Sequence, residues 1–239
     1  MKLALITGGS KGLGASLCRQ WQERGFQVVE FSRSAPHPFS VQADLADPLA
    51  ASRAIEAALQ AIDPTSVEEL VAVHNAGTLD PIGPVYRQDS EAIVSHLATN
   101  LTSGILFLSQ VVACFQDRSC PKTLASISSG AALRPFQGWS LYCAAKAGLD
   151  HFVRTLAAEQ KSQPHPFAAI NIDPGVIDTS MQERIRQSDA SDFPDVDRFI
   201  QRKEKGQLVP PDQVARSVLK ILSRSDLVGG ERYQTSEHP

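Results

Sequence analysis

The chain has 239 residues, 42% of them hydrophobic and 21% charged, and a formal net charge of -3. These are the proportions of an ordinary soluble globular protein long enough to bury a full core, and they give no reason to expect nucleic acid or an anionic membrane as partner. Cys18, Cys114, Cys120 and Cys143 show neither metal-ligand spacing nor a Cys-x-x-Cys pair, so no metal site and buried reduced thiols are expected.

In chain order, Leu3 to Ile6 reads as a strand leading into the glycine turn Thr7-Gly8-Gly9-Ser10-Lys11-Gly12-Leu13-Gly14. That turn comes too early for Met1 onward to be a secretory signal, and no apolar run approaches the roughly 18 residues of a membrane span, so a cytoplasmic location is expected. Leu13, Leu17 and Trp21 recur every four residues and predict a helix ending near Gly25. Phe26 to Phe31 and a short Phe39 to Gln42 read as strands, Pro48 to Ala61 as a helix, and Leu70 to Val73 as a fourth strand. A long helix follows, its apolar stripe formed by Ile93, Leu97, Leu101, Ile105, Leu108 and Val112. Leu124 to Ile127 is a fifth strand, and Ala145, Leu149, Phe152 and Leu156 stripe the next helix. Phe167 to Ile172 is a sixth strand, Pro211 opens a last helix, and Leu227 to Tyr233 reads as a closing strand.

Repeated strand–helix units imply an α/β fold, a single Rossmann-type domain of about seven parallel strands, doubly wound with helices on both faces. Ligands of such sheets bind beyond the carboxyl ends of the strands, where every motif below falls. The segment from about Met181 to Leu208 is charged and poorly periodic, with Phe193, Phe199 and Ile200 as isolated apolar residues. It is expected either as a mobile lid over a site or as a plain surface insertion.

In the glycine turn, Gly8, Gly12 and Gly14 permit close approach of a pyrophosphate to a helix N-terminus, with Ser10, Lys11 and Leu13 between them. An acidic residue at the end of the second strand would bind a ribose 2′-hydroxyl, and a cation there a 2′-phosphate. The chain reads Glu30-Phe31-Ser32-Arg33; Arg33, helped by Lys11, favours NADPH, whereas Glu30, the competing NAD reading, lies within the strand. Asp44-Leu45 either flanks the adenine or simply leads a helix.

Tyr142 and Lys146, four residues apart, share a helix face, thirteen residues beyond Ser129. An ordinary phenol, with a pKa of about 10, is a poor proton shuttle near neutrality, and a neighbouring ammonium would lower that value. The other tyrosines, Tyr86 and Tyr233, have no lysine at that spacing.

The Thr-Gly-x-x-x-Gly-x-Gly turn, Asn75-Ala76-Gly77, Ser129, Tyr142-x-x-x-Lys146 and Pro174-Gly175 stand in an order that resembles the short-chain dehydrogenase/reductase family over nearly the whole chain. The resemblance implies hydride delivery from nicotinamide to a carbonyl carbon while Tyr142 protonates the oxygen. Lys146 would tune the tyrosine and hold the nicotinamide ribose, Ser129 would donate to the carbonyl oxygen, and Asn100 would hold a water passing protons to Lys146. Asn75, Ala76, Gly77, Pro174, Gly175, Ile177 and Thr179 would line the cofactor, Thr179 fixing the carboxamide. Ser128 is the neighbour to be told from Ser129.

The series Ser128-Ser129, Pro135-Phe136-x-Gly138-Trp139-x-Leu141-Tyr142-Cys143 and Asp178-Thr179-x-Met181-Gln182 is similar to the sepiapterin reductase branch and its bacterial benzil reductase relatives. That likeness implies an apolar substrate pocket of Leu133, Phe136, Trp139 and Cys143, with Met181 beside it, packing next to the active helix being the plainer reading of each. Where sepiapterin reductases place a carboxylate near the C-terminus, this chain offers Gln234, with Glu231 nearby, which favours diketone over pterin reduction. A silent NADP-binding sensor is the reading from another class. The family also implies a homodimer or homotetramer formed through the helices of Asn100 and Tyr142.

Overall fold

Strands buried on both faces are encoded as unbroken apolar runs, and those runs form the middle of the sheet here. In the computed structural model, which describes residues 1–238, the strands are β1 (Lys2–Thr7), β2 (Gln27–Ser32), β3 (Ser40–Gln42), β4 (Glu69–His74), β5 (Lys122–Ile127), β6 (Ala168–Asp173) and β7 (Arg232–Gln234). All pair in parallel in one sheet ordered β3-β2-β1-β4-β5-β6-β7. The order reverses between β1 and β4, and this switch point opens a crevice at the carboxyl ends of both strands.

One face of the sheet is covered by α1 (Gly12–Glu23) and α8 (Pro211–Leu222), through Leu17, Trp21, Val218 and Ile221. The other is covered by α2 (Pro48–Gln60), α4 (Ser103–Phe115) and α5 (Ser140–Gln160), through Ile55, Phe107, Val111, Leu149 and Val153. Asp47 caps α2 by accepting from Ala50 N at 3.0 Å, with Pro48 supplying the fixed φ of a first turn. Asp89 caps α3 (Ser90–Leu97) in the same way, from Ala92 N at 2.7 Å.

Two expectations are corrected. From Ser90 to Phe115 the chain is helical for 26 residues, long and apolar enough to cross a membrane by length and composition, contrary to the expectation that no run approaches that length. It is a core helix of the sheet, burying Phe107, Leu108, Val111 and Phe115. Its expected stripe is also displaced. Between α3 and α4 lies a π turn, Ala98–Thr102, whose extra residue rotates the helix faces. The most buried side carries His96, Asn100, Ser103, Gly104 and Phe107 with the stripe's own Leu108; Leu101, Ile105 and Val112 pack half-buried against the same core, and Ile93 and Leu97 are half-buried at its margin.

The third correction concerns the segment after Thr179. It folds into α6 (Ser180–Arg186) and α7 (Val196–Glu204), and its aromatic residues are not isolated. Phe193, fully buried, stacks in parallel on Trp139 with ring centroids 4.5 Å apart, and Phe199 packs against both. Together with Leu79, Tyr142, Ile185 and Val196 they make a small separate core above the carboxyl ends of the strands.

Candidate active site

The glycine turn after β1 is held from below and from the side. Glu30, fully buried in β2, accepts Gly9 N at 2.8 Å through one carboxylate oxygen and the Ser32 and Ser40 hydroxyls through the other. Both oxygens are therefore committed beneath the loop, and the carboxylate is not presented to a ribose. Asn75, after β4, donates to Gly8 O at 2.9 Å and to Thr7 O at 3.3 Å. A Cβ on Gly14 would stand 2.1 Å from Gly8 O, so the backbones meet there as only glycine allows, and Gly12 has a φ of +56°. The start of α1 is thus open to an anion.

The loop opens into a cleft of about 1100 Å³ that runs along the carboxyl ends of the strands. Gly8, Ser10, Lys11, Gly12, Leu13, Ser32, Arg33, Asp44 and Leu45 line one end, and Asn75, Ala76 and Gly77 the middle. Ser129, Tyr142, Lys146, Pro174, Gly175, Ile177, Thr179 and Met181 line the other. Lys11 and Arg33 are exposed and their charged groups have no carboxylate partner among the described residues. The Thr179 side chain lies beside Gly12, 3.2 Å from where its Cβ would be, which closes the cleft from the β6 side.

At the far end Tyr142 and Lys146 stand one turn apart on α5, both almost wholly buried. The ammonium donates to Ile127 O at 2.8 Å and lies 5.7 Å from the centroid of the Tyr142 ring. Burial pushes the Tyr142 phenol up to about 12, the Ser129 hydroxyl draws it back in part, and Asp173 and Cys143 add to the rise. Burial likewise brings the Lys146 ammonium down to about 8, with Asp150 opposing and Arg232 assisting. The expectation that the ammonium lowers the phenol is therefore overridden in the protein alone, because desolvating a phenolate outweighs a charge that is turned to a backbone carbonyl. The result is a phenol that keeps its proton near neutrality.

Ser128 and Ser129 separate cleanly. Ser128 is buried and its hydroxyl takes Arg232 Nη1 at 2.5 Å, whereas Ser129 Oγ accepts Ala131 N at 3.2 Å, faces the Tyr142 phenol and lines the cleft. Asn100, fully buried on the π turn, accepts Thr78 N at 2.9 Å and donates to Thr78 O and His96 O. Its side chain fastens the loop after β4 to the helix.

The predicted substrate residues divide. Phe136, Trp139 and Met181 line the cleft. Leu133 is 73% exposed and Cys143 turns its sulfur towards Arg134 O, and neither lines the cleft. Gln234 and Glu231 are exposed at β7 and also lie outside it. Arg232, next to Glu231, was not foreseen: it bonds Ser128, Ser129 O at 2.8 Å, Asp150, and Asp173 at 2.9 Å. Also unforeseen at the cleft are Asp80, His96, Arg134, Arg184, Phe199 and Arg202. Arg184, Phe199 and Arg202 reach the cleft from the segment after Thr179, whereas Asp80, His96 and Arg134 lie within a few residues of Gly77, Asn100 and Ser129 but belong to none of the motifs.

A doubly wound sheet with a glycine turn at its switch point, and a serine, tyrosine and lysine gathered at the other end of one cleft, defines a dinucleotide-dependent oxidoreductase. The short chain dehydrogenase family model matches residues 2–190, and the chain belongs to that family, whose members act on CH–OH and C=O groups. It is 37% identical over 229 residues to a benzil reductase ((S)-benzoin forming) of Bacillus subtilis (strain 168), covering 94% of each chain. It is 32% identical over 251 residues to the sepiapterin reductase of Meriones unguiculatus, covering 95% of this chain and 94% of that one. The crystal structure of the KRED1-Pglu enzyme superposes with a TM-score of 0.82 at 27% identity, covering 97% of this chain and all of that one.

Proposed function

We propose that the chain is an NADPH-dependent carbonyl reductase acting on the ketone of a dicarbonyl compound. The observation that carries this reading is the placing of Ser129, Tyr142 and Lys146 at one end of a cleft whose other end offers a glycine turn and two unpaired cations. A 2′-phosphate would be met by Arg33 and Lys11, and Glu30 is already committed beneath the loop. When bound, the reduced nicotinamide supplies the hydride. Tyr142 holds its proton until charge grows on the carbonyl oxygen and then releases it to that oxygen, with Ser129 donating to the same atom. Lys146 carries the positive charge beside them, and Asn100 fixes the wall in which they sit.

Phe136, Trp139, Met181 and Phe199 give the substrate end an apolar wall suited to a flat, aromatic body. This accords with the relative named for benzil reduction. Pterin reduction is the weaker reading, since the C-terminal residues that would hold a pterin, Gln234 and Glu231, lie outside the cleft. Four unpaired cysteines suit a reducing cytoplasm, and we place a homo-oligomeric contact on the half-buried outer face of α3 and α4.

The test is spectrophotometric. Wild-type protein should consume NADPH with benzil far faster than NADH, and Tyr142→Phe should lower kcat by about a hundredfold or more. Equal use of NADH would remove the role of Arg33, and undiminished turnover in the phenylalanine variant would remove the mechanism.

A further inference from the structure

The substrate end of the cleft holds more positive charge than its own carboxylates balance. Asp80 is bound by Arg184 at 2.9 Å, and Asp173 by Arg232 at 2.9 Å. Two further arginines of the same wall, Arg134 and Arg202, have guanidinium groups with neither a carboxylate nor a hydrogen-bond acceptor among the described residues. They come from different elements, Arg134 from the loop after β5 and Arg202 from α7. Arg134 lies 5.3 Å from the Phe136 ring centroid, and its Nη2 is 3.5 Å from where a Cβ on Gly130 would stand, in the residue next to Ser129. Arg202 lies 5.6 Å from the Phe199 ring centroid. Burial, and then the like charges of Arg198 and Arg134, make the Arg202 guanidinium a weaker base than an ordinary arginine.

The two rings, Phe136 and Phe199, both pack against Trp139, with centroids 5.0 and 5.5 Å from it, so the half-buried Arg202 and the exposed Arg134 meet on one aromatic platform with no counter-ion and offer a site to an anion. The phosphates of a dinucleotide have their own cradle at the glycine turn and Arg33, at the opposite end. We propose that Arg134 and Arg202 grip a carboxylate carried by the carbonyl substrate, so that the substrate class is an apolar or aromatic 2-oxo acid. This rests on the carbonyl-reductase reading above. A guanidinium fork matches a carboxylate in shape as well as charge, and its stacking on Phe136 and Phe199 pre-orients it.

A matched pair of substrates tests the proposal: benzoylformate and its methyl ester, each a 1,2-dicarbonyl with the same phenyl ring, one anionic and one neutral. In Arg134→Met and Arg202→Met, which keep an apolar stem against the rings, the ratio of kcat/KM for acid over ester should fall by about tenfold. In the wild type the KM for the acid should rise with salt while that for the ester does not. A ratio that stays within about threefold of the wild type in both variants overturns the proposal. If neither benzil nor the ester is reduced with NADPH, it is the carbonyl-reductase reading that fails. Calorimetric binding of benzoate to the NADP-loaded protein then decides the anion site: weaker binding in either variant supports it, and no binding to the wild type overturns it.

Discussion

Lys146 is the residue whose charge is most delicately set, because burial lowers it to about 8 while Asp150, one turn further along α5, holds it up and Arg232 pushes it down. Carbonyl reduction with a positive Lys146 should therefore run on the acid side of that value and fall as pH rises through about 8. Asp150→Asn removes the group that favours the ammonium, so the alkaline limb of log kcat/KM should move to lower pH. Arg232→Met removes a competing cation and should move it to higher pH. Opposite displacements cannot come from general damage to the fold; a shift of both profiles in one direction would dispose of the electrostatic account. Tyr142, Lys146 and Ser129 were legible in the sequence because their spacing along one helix and one loop is local. Arg232 was not, since its four partners lie on β6, on α5 and in the loop after β5, and only closure of the sheet by β7 brings them to it.

Among the elements, the strands were readable because β1 and β4 carry unbroken apolar runs at their centres and β5 and β6 nearly so, each broken by one polar residue (Ser126, Asn171), and the glycine turn because close backbone approach excludes a Cβ. The helix that carries Asn100 was readable only in its extent. Hydrophobicity marked one stripe from Ile93 to Val112, whose later part does pack on the core, yet the side turned to the site must hold His96 and Asn100, and the π turn sets that side apart. The segment after Thr179 was obscure for a different reason: Phe193 and Phe199 find their partner, Trp139, about fifty residues away. Gly138 makes that contact possible, since a Cβ there would stand 2.1 Å from Asp192 O. Phe193→Ala should cost about 3–5 kcal/mol, borne by this small core rather than by the sheet. Amide exchange in α6 and α7 should quicken while β4 and β5 stay protected, and the KM for substrate should rise. An even loss of protection across both regions would show that the segment is no separable lid.

At the scale of the whole molecule, the outer face of α3 and α4 is the surface that the monomer leaves unexplained. Ile93 and Leu97 remain half-buried along it, Val94 is 67% exposed, and Leu101, Ile105 and Val112 are only half-covered by the core they pack against. The run of 26 residues spans roughly 40 Å, long enough for a two-fold contact of standard size between identical chains. The inner faces of the same helices hold His96 and Asn100, so a partner pressed on the outside would brace the catalytic wall from behind. Val94→Glu and Ile93→Glu each place a carboxylate that must lose its water if two such faces meet. Sedimentation equilibrium should give a multiple of 25.8 kDa for the wild type and a mass shifted towards 25.8 kDa for both variants. Activity per chain should fall along with the mass at low protein concentration and recover as concentration rises. A wild type that sediments at 25.8 kDa at all concentrations would leave this apolar face without a partner of its own kind.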